Sequence, residues 1–275
     1  MLTSYALLAP ILPTLLVDEH RRHYTEMLTA LGEASKRLFA DTPAAVVVLS
    51  ARWNAPGPFR VDAGRRHTTI TDYADLGVEV RHDCPGSPAL ARALIEAGLR
   101  DGVHVAAATR GVDSGVTVPM HFLTPRPRLP VVPLSLPPRP AAECRAWGES
   151  IRAALAAWPE RAAFVVGGAL SRNEHAWNLK REVPEARAFD EWALGALQRG
   201  AWRELSARDP VLSEKAQPEA GLLHLEVLRG FLGGDAPGTL LCYESGPGVG
   251  AALMEFELAA VPAVKSATAG GAPQG

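Results

Sequence analysis

Eight histidines are spread along the 275 residues, and His20 and His23 stand three apart with Asp18 and Glu19 beside them. On a helix that spacing puts both imidazoles on one face, where they could share a metal ion. A solvated polar helix start is the plainer reading. His67, His82 and His121 could form a second metal site, although a histidine in an apolar run such as VPMHFL is more often packed and hydrogen-bonded. Ser114 in VDSGV and Ser171 in GALSR lack a GxSxG elbow and have no evident His–Asp partners. The glycines of GPGVG, residues 246–250, come without a Walker lysine or a following helix, so they read as a turn between strands. Arg52, Arg65 and Arg66 share one stretch with Trp53. They could hold an anion against a stacking wall, or be solvated charges beside a core residue.

Bulk properties narrow the setting for such chemistry. The formal net charge of −2 argues against nucleic-acid binding, which needs clustered positive charge, and against a polybasic membrane anchor. Cys84, Cys144 and Cys242 are odd in number and far apart, which points away from a disulfide framework and toward a reducing, cytoplasmic setting. The apolar N-terminus is broken by Pro10 and Pro13 and has no basic leader, so it reads as a buried first strand rather than a spanning helix or signal peptide.

The elements that must position these residues alternate. Residues 19–39 suit an amphipathic helix, with Tyr24, Met27, Leu28, Leu31 and Leu38 on one side. Residues 44–50 (AAVVVLS) suit a strand buried on both faces. The Gly-, Pro- and Arg-rich residues 51–68 then suit a loop. Ser87, Pro88 and Gly102 bracket a helix as N-cap, first position and end. Further strands are expected at 103–107, 163–168, 239–244 and 251–257, and residues 115–136 read as strand-like runs broken by proline. Helices are expected at 141–158 and in the segments that follow Pro184. The pattern predicts a single α/β domain over residues 1–260, with a mostly parallel central sheet flanked by helices on both faces, and a disordered tail over 261–275. In such folds ligands bind beyond the carboxyl ends of strands, here the loops after Leu8, Leu49, Ala108 and Gly168.

Those loops carry a resemblance. LLAPILPTLL resembles the "APHxP" opening of class III extradiol ring-cleavage dioxygenases of the LigB type and their MEMO-like branch, and VVVLSARW resembles their "SPH" strand end. RGVDSGVTVPMHFL followed by LPVVPLSL is similar to "DHGxxVPL…PVVxLSL", and FVVGGALSR to "SGDLSH". FDEWALGALQRGAWRELSARDP and PEAGLLHLEVLRGFLGG look like the family's C-terminal helices. TLLCYESGPGVGAALMEF looks like the closing "YExpxGVGY" of the MEMO-like branch. The ordered similarity runs over about residues 4–257.

The resemblance implies Fe(II) held by two histidines and a glutamate, with further histidines acting on an aromatic substrate. Carried across residue by residue, the first histidine ligand falls at Ile11 and the second at Arg52. The histidine of "DHG" falls at Ser114 and that of "LSH" at Arg172; the glutamate is kept as Glu219. Isoleucine has no lone pair, arginine stays protonated, and serine does not titrate near neutrality. The expectation is therefore a non-catalytic relative with no metal and a vestigial cleft formed by these five residues. Glu219 is expected to pair there with Arg52 or Arg172. Such a protein would be a homodimer, a subunit beside a related catalytic chain, or a binder of a small anionic or aromatic ligand. One alternative is an active Fe(II) extradiol dioxygenase with relocated ligands, cleaving a catechol or aminophenol. Another is a metal-free enzyme that uses the same pocket.

Overall fold

The computed structural model describes residues 2–17, 24–77, 79–124 and 129–258. His20, His23 and their acidic neighbours, and the expected tail over 261–275, lie outside the described residues. The strands are β1 (Tyr5–Ala9), β2 (Ala45–Ser50), β3 (Phe59–Asp62), β4 (Arg66–His67), β5 (Cys84–Pro85), β6 (Val105–Ala108), β7 (Val131–Ser135), β8 (Ala162–Gly167), β9 (Thr239–Gly246) and β10 (Val249–Glu257). The helices are α1 (Thr25–Ala40), α2 (Pro88–Arg100), α3 (Ser114–Leu123), α4 (Ala141–Ala157), α5 (Glu174–Asn178), α6 (Pro184–Gln198), α7 (Pro210–Ala216) and α8 (Leu223–Leu232).

One eight-stranded sheet runs β6-β3-β7-β2-β8-β1-β10-β9. Its centre, β7-β2-β8-β1, is parallel, and the hairpin β9–β10 joins antiparallel beside β1. The central strands alternate between two cores. Val47, Leu49, Phe164 and Val166 pack on one face with Trp147 and Phe231. Val46, Val48, Ala163 and Val165 pack on the other with Leu31, Met120 and Leu38. Burial on both faces explains why these strands read as unbroken apolar runs. The fold is α/β, with a largely parallel central sheet covered on both faces.

Two expectations are corrected. Residues 51–68 are not all loop: Phe59–Asp62 pair in parallel with β6 and touch β7. Residues 114–123 form helix α3 rather than strand-like runs. Val116, Thr117, Val118 and Pro119 favour extended backbone, but the segment is buried nearly all round and so shows no period. The Asp113 side chain caps its start by accepting from the Gly115 N–H. The helix between Ser87 and Gly102 forms as read: Ser87 accepts from the Leu90 N–H, and Gly102 takes the left-handed conformation at φ 78°.

Candidate functional site

The parallel register of β1, β8 and β2 levels their carboxyl ends, pairing Ala9 with Gly167 and Ser50 with Gly167. Ile11 and Arg52 each follow two residues beyond their strand, and Arg172 five beyond β8. The start of α3 closes the floor. Asp113 accepts from the Ser50 hydroxyl at 2.7 Å and is also bonded by Arg110. A Cβ at Gly115 would lie 2.1 Å from Ser50 Oγ, and one at Gly167 would lie 2.1 Å from the Gly115 carbonyl. Only glycine permits this approach. Pro119, four residues on, has no N–H to take up the Gly115 carbonyl within the helix. Ser114 donates from its backbone N–H and hydroxyl to the two oxygens of Asp72, at 2.9 and 2.8 Å.

Ile11, Arg52, Ser114, Arg172 and Glu219 line a single cleft of about 280 Å³, together with Asp72, Asp75, Tyr73, Glu174 and Trp177. Glu219 is 2% exposed. It opens a tight turn in which Ala220, Gly221 and Leu222 all have positive φ, at 47°, 61° and 66°. Two of these are not glycine, so neighbouring structure must hold the strain; the Glu219 N–H bond to the Leu170 carbonyl at 2.9 Å is one such tie. Arg172 Nη1 donates to Glu219 Oε1 at 3.0 Å, while the other carboxylate oxygen is buried without a partner. Burial pushes the Glu219 pKa up to about 7 even though the Arg172 charge pulls it down. Arg172 Nη2 bonds Glu174 Oε1, and Arg52 Nη1 approaches the same oxygen at 3.9 Å. Arg52 does not share in the Glu219 bond. Its Nε is buried without a partner.

The Arg172 loop is tied from behind. Ser171 donates from its N–H and hydroxyl to Asp190, both at 2.7 Å, and Tyr243 donates to Asp190 at 2.9 Å. Burial raises the Asp190 pKa to about 6. Ser171 is thus a structural donor. The remaining sequence candidates fall elsewhere. His67 has both ring nitrogens engaged, Nε2 3.0 Å from the Val131 carbonyl and Nδ1 3.4 Å from Asp62. Burial drives the His82 pKa down to about 4, with a smaller contribution from His121. Among the described residues no three His, Cys, Asp or Glu side chains are placed to hold a metal ion, so His67, His82 and His121 do not assemble a displaced site. Trp53 is buried with the Arg110 guanidinium 5.2 Å over its ring, and Arg65 and Arg66 are exposed. GPGVG is the turn between β9 and β10. The three cysteines are buried and free.

Sequence reasoning missed Asp72, Glu174, Trp177 and His224. Glu174 had one available signal, its position two residues after Arg172 at the start of a short helix. His224 is fully buried against Gly168, and burial lowers its pKa to about 3 against a smaller opposing effect of the Glu219 backbone. Among the described residues the cleft is lined by four carboxylates, two guanidinium groups and no imidazole. That donor set does not fit a centre of two histidines and one carboxylate. No described helix is long and apolar enough to cross a membrane.

Comparison with known proteins bears on this cleft. The sequence model of the family described as the catalytic LigB subunit of aromatic ring-opening dioxygenase matches residues 8–254. A 4,5-DOPA dioxygenase extradiol of Beta vulgaris is 25% identical over 179 residues, which cover 62% of this chain and 65% of that protein. The chain thus spans just under two thirds of that relative's length. A crystal structure of an uncharacterized protein from Escherichia coli K12 has the same fold, with a TM-score of 0.55 and 23% identity over 78% of this chain and 86% of that one.

Proposed function

The chain belongs to the LigB family of aromatic ring-opening dioxygenases, and from that premise we propose that it is a non-catalytic member whose cleft has given up iron for an internal ion pair. The observation that carries this reading is the Arg172–Glu219 bond at 3.0 Å. Glu219 stands where the family resemblance puts the carboxylate ligand, and Arg172 where it puts a histidine. A buried carboxylate needs a positive charge beside it or takes up a proton. The guanidinium supplies that charge in a fork matched to a carboxylate. Ile11 and Arg52, where the family resemblance puts the two histidine ligands, offer no lone pair. The family and the named activity of the Beta vulgaris relative favour ring cleavage; the side chains at these positions oppose it, and function belongs to the site. The protein would then serve as a binding protein or as a subunit beside a related catalytic chain or a second copy.

The test is anaerobic loading with Fe(II), removal of free metal, elemental analysis, and assay with L-DOPA and with catechol under oxygen. The expected result is iron far below one equivalent and no ring-opened product. Stoichiometric iron, or turnover of either diol, would instead establish an active dioxygenase whose ligands have moved.

A further inference from the structure

Arg52 is the cation of the cleft whose guanidinium lacks a close carboxylate partner, whereas Arg172 bonds two. Its side chain is 19% exposed, its Nε is buried without a partner, and the nearest carboxylate oxygen stands 3.9 Å from Nη1, beyond hydrogen-bonding distance. That oxygen belongs to Glu174, whose side chain is 64% exposed and which is also bonded by Arg172. One solvated carboxylate therefore lies between two guanidinium groups, and it completes the bonding of only one. The other carboxylates are differently placed. Asp72 accepts twice from Ser114, Glu219 is held by Arg172, and Asp75 is exposed at the rim. The volume of about 280 Å³ is at the small end for ligand pockets, and Ile11, Leu12 and Trp177 give it an apolar wall.

We propose that the cleft binds a small carboxylic acid with an apolar body, its carboxylate taken by Arg52 in exchange for the loose contact with Glu174. The proposal rests on the metal-free reading above. Glu174 acts as an exchangeable internal anion: it neutralises the arginines while the cleft is empty and swings to solvent when a ligand arrives. Its exposure makes that exchange cheap, because a solvated ion pair contributes little. A ligand carboxylate reaching a largely desolvated guanidinium gains a charge-assisted, two-pronged bond.

The charges also define a competing outcome, since four carboxylates line the same cleft. Titration calorimetry of the metal-free protein at pH 7 with benzoate, benzamide and benzylamine separates the possibilities with one ring and three head groups. Benzoate is expected to bind at a single site at least about tenfold tighter than either analogue, the scale of a hydrogen bond to a charged group. Arg52→Gln should abolish that preference, and Glu174→Gln should tighten benzoate severalfold by removing the competing carboxylate. Equal binding of benzoate and benzamide, tighter binding of benzylamine, or benzoate binding unaffected by Arg52→Gln would overturn the proposal. Glu174→Gln lies on an exposed side chain and keeps the test valid should Arg52→Gln fail to fold; weaker benzoate binding in it would also overturn the proposal. The same samples are assayed for iron, so loss of carboxylate selectivity in an iron-free protein counts against this ligand class alone.

Discussion

Glu219 is the most deeply buried carboxylate lining the cleft, and its ionisation is coupled to the fold. Its pKa rises from 4.5 unfolded to about 7 folded because burial outweighs the Arg172 charge. The folded state therefore holds a proton that the unfolded state has released. The stability this contributes is fully present below pH 4.5 and is lost as pH climbs through 7, on the order of 3 kcal/mol in all. Asp190, raised to about 6, acts in the same direction, so Glu219 must be isolated by subtraction. Glu219→Gln is expected to gain on the wild type between pH 5 and pH 8 in urea unfolding; a constant difference would place the ionisation elsewhere. Arg172→Met should cost roughly 2–4 kcal/mol at pH 8, less than a fully buried pair because Arg172 is 24% exposed, and much less at pH 5, where Glu219 is protonated. The sequence led to a pairing of Glu219 with either Arg52 or Arg172, and the structure makes the bond to Arg172. Glu174 was not legible, because an exposed carboxylate on a five-residue helix looks like any solvated charge.

At the scale of elements, the sequence was readable where burial is one-sided or complete along a strand and unreadable where a helix is buried all round. Strands β2, β7 and β8 announce themselves as apolar β-branched runs and β1 as an apolar run without them, and α2 carries its caps in its own letters. Helix α3 shows β-branched residues and a proline, and its start is fixed by its own cap Asp113 together with Ser50 and Asp72 from other parts of the chain. Strand β3 hides in a glycine-rich stretch for the same reason, its partners being far away in sequence. The crossing of α4 and α8 depends on backbone contact. A Cβ at Gly148 would lie 2.0 Å from the Val227 carbonyl, and one at Gly230 would lie 2.0 Å from the Arg145 carbonyl. Gly148→Ala is expected to destabilise by about 1–3 kcal/mol through forced separation of the helices. Gly32, inside α1 with nothing within 4 Å of its would-be Cβ, is the control: Gly32→Ala should stabilise by up to about 1 kcal/mol through helix propensity alone. Thermal melts of the two variants should shift in opposite directions.

For the whole molecule, the question is whether the two cores, which share the central strands, open together. Cys144 lies in one core and Cys84 in the other, both fully buried, and burial pushes each thiol up to about 12. Neither reacts as a thiolate until it is exposed, so labelling reports opening. Cys84 sits on a two-stranded ribbon outside the main sheet, which on its own would open easily. The ribbon is tied to the sheet at β7, where Gly86 bridges Val131 and His67 bonds the Val131 carbonyl. Asp62, on β3, holds His67 from the other side and accepts three backbone N–H groups, from Gly64, Arg110 and Gly111. Removing Cys84 from its core thus means breaking contacts made by β3 and β7 as well. Labelling with a thiol reagent across a denaturant series, read by mass spectrometry of peptides, should give Cys84 and Cys144 the same opening free energy within about 1 kcal/mol and the same denaturant slope, the mark of one cooperative unit. Cys242, 9% exposed on β9 at the end of the strand order, should label at lower denaturant. If Cys84 opened with Cys242 rather than with Cys144, the ribbon would be an independent flap, free to open without unfolding the sheet.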